Sequence, residues 1–218
     1  MKDAIGAQVL GGTKWKRFAL VMVPTVGIAG AMTVMMANGV LASSFAVSGQ
    51  QFKVSADSLI GQTFAQSGTV MVTADGKPHA VAVAGIKTAD IKNMCQSVDV
   101  PILGLGSLTI VLRAGADTPV HATDLVLDAD QVNADALFEG VNIGASAADI
   151  QAHANIAGWQ KTDKTGTKPE DFAAGDFGQI VDKATLTNVT QTAYSTTAGT
   201  MSLKGLSISA NLNGKQCF

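Results

Sequence analysis

The sequence predicts an all-β fold, mainly an antiparallel sandwich, barrel or curved sheet, placed after one N-terminal apolar helix. Three observations carry this. Segments of alternating or β-branched residues recur along most of the chain, turn signals punctuate them, and a charge-free run near the N-terminus directly follows a basic cluster. The composition agrees: 218 residues with 47% hydrophobic, 15% charged and 23 glycines lean away from long soluble helices. The length suffices for one full core and an extra segment.

The N-terminal element comes first. Lys14, Lys16 and Arg17 stand directly before Phe18, and no charged residue appears from there to Ala42. That run is long enough to cross a bilayer core as a helix and carries apolar residues on all sides. The basic flank predicts that residues 1–42 form a cytoplasmic stub plus a signal peptide or signal anchor, with residues 43–218 exported. Val40 and Ala42 fit a signal-peptidase cut before Ser43, and Ser44 with Ala46 offers a second choice. The run is longer than a signal peptide usually needs, so cleaved and anchored forms both stand.

Charge and cysteine use narrow the function classes. Setting aside Lys2, Lys14, Lys16, Arg17 and Asp3 leaves 11 basic and 16 acidic residues of the chain's 15 and 17, a net charge near −5. A mildly acidic domain without a basic run has no electrostatic attraction for nucleic acid. The two cysteines, Cys95 and Cys217, form an even pair, which outside the cytoplasm is most simply a disulfide; two unpaired buried thiols are the alternative. Their separation, with no neighbouring Cys or His, does not match zinc-site spacing.

The strands follow in order. Thr69–Ala74, His79–Gly85, Ser107–Ala114, Asp124–Ala129, Ala184–Tyr194 and Thr200–Leu212 are β-branched or alternate with period two. Turn signals lie at Ala74–Pro78, Arg113–Pro119 and Asn213–Gly214, and the first of these, ADGKP between two alternating runs, predicts a hairpin. Phe45, Val47, Phe52 and Val54 place the earliest strands just after the apolar run. A weak echo, SADSL at Ser55, TADIKN at Thr88, ATDLVL at Ala122 and KATLTN at Lys183, repeats a small, a polar and an aliphatic residue. It raises a β-solenoid as the alternative to antiparallel packing.

One segment breaks the alternation. Residues 145–178 form a polar excursion, with a short helix over Ser146–Ile156 capped by Ser146 and a loop after it. Trp159, Phe172 and Phe177 lie in it, and the expectation is that these aromatics pin the excursion to the sheet rather than face a ligand.

Reaction chemistry is thinly represented. A serine esterase of the α/β-hydrolase kind needs a GxSxG elbow and βαβ alternation, and neither is present. His79, His121 and His153 are the candidate bases, and a Ser-His-Asp set around His121 and Asp124 is the catalytic arrangement left open. Asp128, Asp130 and Asp135 offer oxygen ligands, but Val132 and Asn133 stand where a calcium loop needs an oxygen ligand and a glycine. An alternating strand would put Asp128 and Asp130 on one solvated face. No phosphate-binding or dinucleotide motif is present, so no cofactor is expected.

Several stretches carry a family resemblance: WKRFALVMVP from Trp15, SFAVSGQQFKVSAD from Ser44, HAVAVAGIKTADIKNMCQSV from His79, TAYSTTAGTMSLKGLSIS from Thr192, and the terminal Cys217 and Phe218. Together they resemble an actinobacterial exported family known as domain of unknown function 6230, whose members often carry an automatic cholesterol esterase label. The resemblance implies a β-rich envelope protein and supplies no catalytic residues to carry over. The expected role is therefore structural or interaction-based and non-catalytic. Lipid binding and ester hydrolysis follow in that order, with the membrane, an envelope protein or a lipid as partner.

Overall fold

The computed structural model describes residues 48–159 and 175–218. The apolar run Phe18–Ala42, the boundary at Ala42 and Ser43, the stretch Ser44–Val47 and Phe172 lie outside the described residues. Among the described residues, no helix is long and apolar enough to cross a membrane.

The elements are β1 (Phe52–Val72), β2 (Pro78–Lys92), β3 (Met94–Ile102), β4 (Gly106–Ala114), β5 (Val120–Ser146), α1 (Ala147–Ala154), β6 (Phe177–Thr197), β7 (Thr200–Ser202) and β8 (Ser207–Leu212). Every strand pairing is antiparallel. The order β2-β5-β6-β1 closes on itself because β1 also pairs with β2, giving a four-stranded barrel from which β3, β4 and β8 extend. Of the expected architectures this is the barrel, and the antiparallel register leaves no solenoid. The predicted hairpin at Ala74–Pro78 joins β1 to β2, with Val72 opposite Pro78.

The barrel interior follows a spacing other than simple alternation. Inward-facing residues on β2 are Ala84, Ile86, Ala89, Ile91 and, just beyond its end, Met94; on β6 they are Val181, Ala184, Leu186 and Val189. Steps of two and three alternate, so the pattern repeats every fifth residue. Left-handed backbone accompanies some of these steps: Thr63, Asn93, Asp124 and Asn188 have φ between 48 and 53°, whereas the steps Ile86–Ala89 and Val181–Ala184 hold no such residue and lie across from Thr63. Each left-handed residue turns the chain so that the next side chain returns to the same face. Thr63 falls between paired positions on both its neighbours, Gln62 with Thr88 and Lys183, then Phe64 with Ile86 and Val181.

The echo in the sequence marks these steps. SADSL, TADIKN, ATDLVL and KATLTN contain Ala56, Ala89, Ala122 and Ala184, all buried in the barrel core. Cross-strand register places Ala122, Ala89, Gly61 and Ala184 in one row of small residues. The flanking rows are large: Leu125, Ile86, Phe64 and Val181 on one side, Val120, Ile91, Leu59 and Leu186 on the other. Bulky rows around a narrow one let side chains from four strands interlock and fill the interior.

Three of the left-handed positions carry Asn or Asp, which tolerate this geometry, but Thr63 is β-branched with φ 52°. A non-glycine residue pays about 1 to 2 kcal/mol there. Thr63→Asn is therefore expected to stabilise the domain by about 1 kcal/mol in urea unfolding. A loss of stability would show instead that packing of the threonine methyl outweighs backbone relief.

Two strand predictions need correction. Thr200–Leu212 is not one strand: Lys204 and Gly205, with φ 67° at the glycine, form a turn that sends β7 to β5 and β8 to β4. The other is an addition, β3 over Met94–Ile102: Val98, Val100 and Ile102 do alternate with Ser97, Asp99 and Pro101, but a proline inside the run reads against a strand.

Candidate functional site

Three regions bring chemistry-bearing residues together, and each grows from a local feature of the strands. The first is the disulfide-closed C-terminal tail. Cys95 on β3 and Cys217 are bonded, with Cα atoms 5.8 Å apart across 122 residues of chain. The tail crosses one face of β3 and β4: the Cys217 amide donates to Ser97 Oγ at 3.0 Å, and Thr109 Oγ1, which donates to Asp99 at 2.5 Å, lies 3.1 Å from the Gly214 carbonyl. Gln216 donates to Asp99, whose carboxyl is held below the usual range by the Thr109 hydroxyl and then by Gln216. Lys53 reaches the Phe218 main-chain oxygen at 3.0 Å and lies 5.0 Å from the Phe218 ring centroid. The expected cysteine pair is thus the anchor of a wider seal.

The second region is the cap over the barrel's outer surface. As expected, Ser146 caps α1 and accepts from the Asp149 amide at 3.2 Å. The excursion closes on itself: Ser146 pairs with Phe177, and the Ala147 amide donates to the Asp176 carbonyl at 2.9 Å. Trp159, 7% exposed, joins Ile150, Ile156, Val83 and Val126 in a second core. Here the pinning reading holds for Trp159 but not for Phe177, which is 65% exposed. Behind the cap, Asp124 accepts from Lys87 Nζ at 2.6 Å and from the Ala157 amide at 3.0 Å, while Lys87 also donates to the Asn155 carbonyl at 2.7 Å.

That arrangement corrects the catalytic set around His121 and Asp124. The left-handed backbone at Asp124, φ 48°, turns its carboxylate towards the cap, away from His121. The partner of His121 is Asp90, 2.8 Å from Nδ1, brought opposite by the β2–β5 register. Ser202 stands opposite His121 on β7. His121 and Asp90 are 54% and 59% exposed, so water screens their attraction. His153 meets the Asp149 carbonyl at 2.8 Å within α1, and His79 Nδ1 lies 2.9 Å from the Tyr194 hydroxyl. The three histidines therefore serve three separate local contacts.

The third region is the acidic stretch on β5. Asp128 and Asp130 do not share a solvated face: Asp128 is buried and Asp130 exposed, bonded by Gln51 Nε2 at 2.7 Å. Register shifts at Asp128/Ala129 and Ala129/Gln131 break the alternation between them. Asp135 accepts from Asn188 at 2.8 Å. Among the described residues, no group of three His, Cys, Asp or Glu side chains could hold a metal ion.

Burial pushes the Asp128 carboxyl above its ordinary 3.8, although Ser195 Oγ donates to it. Its other oxygen meets no donor among the described residues. The folded state therefore holds this proton more tightly than the unfolded chain. Its contribution to stability is full below the ordinary aspartate value and is lost as pH rises through the raised one. Asp128→Asn is expected to make unfolding midpoints less sensitive to that rise and to leave the variant more stable than the parent at neutral pH. Equal midpoints for both proteins at neutral pH would contradict this.

A shallow hollow of about 240 Å³ lies between β1, β2 and the start of β6, lined by Gln66, Ser67, Val81, Phe177 and Gln179 among others. Gln179 donates to Gln66 there at 2.8 Å, and Ser67 donates to the Phe177 carbonyl at 2.8 Å.

These features define a disulfide-closed antiparallel β-barrel domain with a short helical cap. The chain belongs to the Family of unknown function (DUF6230), whose model matches residues 48–218. No curated protein and no solved structure matches it.

Proposed function

We propose that this is an exported domain of the cell envelope, anchored by its N-terminal apolar segment or released from it, with a structural or interaction role rather than a catalytic one. The bond between Cys95 and Cys217 carries the reading, because such bonds persist in oxidising compartments and are rare where thiol reductants prevail. The basic residues before Phe18 support the same direction of export. The non-catalytic part is supported by where the polar side chains go: Asp124, Asp128, Asp99 and His79 bind other parts of the fold.

A fusion of alkaline phosphatase, which is active only after export, placed behind Gly49 tests the location. High activity in whole cells is the expected result. An inactive fusion beside a bright cytoplasmic fluorescent-protein fusion at the same position would refute export. A second reading, lipid binding, is favoured by Leu103 and Leu105, both exposed between β3 and β4.

A further inference from the structure

The three-stranded extension has two unlike faces. The C-terminal tail covers one, over Ser97, Thr109 and Val111, all buried. The other is set by register: Val98 and Val100 on β3 stand opposite Ile110 and Leu108 on β4, and these stand opposite Ala210 and Leu212 on β8. Leu112 and Ile208 continue the row. At its inner end Leu112 packs against the barrel core; towards the tip the face is apolar, with Val98, Leu108 and Ile110 half-buried and Val100, Ile208 and Leu212 exposed. It ends at the β3–β4 turn, where Leu103 is 103% exposed and Leu105 61%. No charged residue occurs from Val100 to Leu112 or from Leu206 to Gly214. A continuous uncharged apolar surface ending in leucines at a hairpin tip is costly to keep in water and marks a contact site.

We propose that the β3–β4 tip and the adjoining face of β8 dock onto a lipid bilayer, with Leu103 and Leu105 entering the boundary between headgroups and acyl chains. The proposal rests on the anchored form of the reading above. Two observations select a bilayer over a second copy of the chain. One is reach: Val98 pairs with Phe52 at the start of β1, and Leu103 is five residues beyond Val98, about 17 Å. A membrane exit at Ala42 leaves nine residues before Phe52, ten steps spanning about 33 Å when extended, which is longer than the tip's reach and so allows tip and tether to meet the same surface. The other is area. Three strands at about 4.8 Å spacing and about 20 Å of β8 give roughly 300 Å², far below the roughly 800 Å² per partner of a stable dimer. A tethered domain, by contrast, needs little intrinsic affinity, because the anchor keeps it at high effective concentration.

The test uses the full-length protein with vesicles of phosphatidylcholine and phosphatidylglycerol. Leu103→Cys carries an environment-sensitive nitrobenzoxadiazole label, and Asp117→Cys on the exposed β4–β5 turn is the control. Flotation of the protein with the vesicles reports the anchor. The label reports the tip: with vesicles, position 103 is expected to shift to the blue and to be quenched by spin-labelled lipid, with position 117 unchanged. A tip label that stays aqueous overturns the proposal whether or not the protein floats, and floating with an aqueous tip leaves the anchor reading intact. A shift on adding vesicles to protein that does not float removes the anchor on which the proposal rests and overturns it. A shift that grows with protein concentration in the absence of lipid identifies a second copy and overturns the proposal.

Discussion

Replacing Cys217 with serine is expected to lower the stability of the domain by about 4 to 5 kcal/mol. The bond closes 122 residues of chain, and in the chain-entropy account a loop of that length contributes on this scale. The bond also holds the tail against β3 and β4, so the contacts of Gly214, Gln216 and Phe218 weaken with it. Urea unfolding of the parent with and without reductant, beside Cys217→Ser without reductant, checks this. The reduced parent and the variant should share one lowered midpoint, and Cys95→Ser should match them. A variant with the parent's midpoint would show that the tail is held by its hydrogen bonds alone.

The second large effect is expected at Trp159. Its indole lies against the bare backbone of Gly85 on β2: a Cβ added at Gly85 would come within 2.4 Å of Trp159 Cε3 and 3.0 Å of Ile156 Cδ1. Trp159→Ala empties the centre of the cap core and is expected to cost about 3 to 5 kcal/mol. Gly85→Ala fills the space the ring needs and is expected to cost about 1 to 3 kcal/mol. Because both act on one contact, the pair should not add: with Trp159 removed, Gly85→Ala should cost less than it does alone. Strict additivity would mean that the indole does not rest on Gly85. Gly178 plays the same part for Ile150, whose Cδ1 lies 2.2 Å from where its Cβ would stand.

The hairpin at Ala74–Pro78, the capped helix after Ser146 and the pairing of Cys95 with Cys217 were all legible in the sequence, because each rests on residues close in sequence or on a count. Less legible was anything set by the left-handed residues. Period-two alternation finds His79–Gly85, where the backbone is regular, and fails in the first half of β1, where Ala56, Leu59 and Phe64 face inward at uneven steps. The repeated Ala-to-aliphatic echo was the available signal for those steps, and its meaning needed the register across four strands. Asp128 was misplaced for the same reason, since the bulges that bury it leave no trace in the alternation of DADQVNAD. Asp90 was passed over as the partner of His121, because only pairing of β2 with β5 brings residues 31 apart together. Nor did the sequence distinguish the covered face of β4 from the open one, since Leu108 and Val111 are equally apolar and only the path of the tail separates them.

Residues 48–218 form a disulfide-closed domain, which we propose lies outside the cytoplasm. Non-reducing peptide mass analysis of the native protein from membrane and supernatant fractions tests it most directly. The expected result is a linked pair of peptides containing Cys95 and Cys217, in an intact chain in the membrane or in a chain beginning near Ser43 in the supernatant. Both thiols alkylating freely in a chain recovered from the cytoplasmic fraction would contradict it.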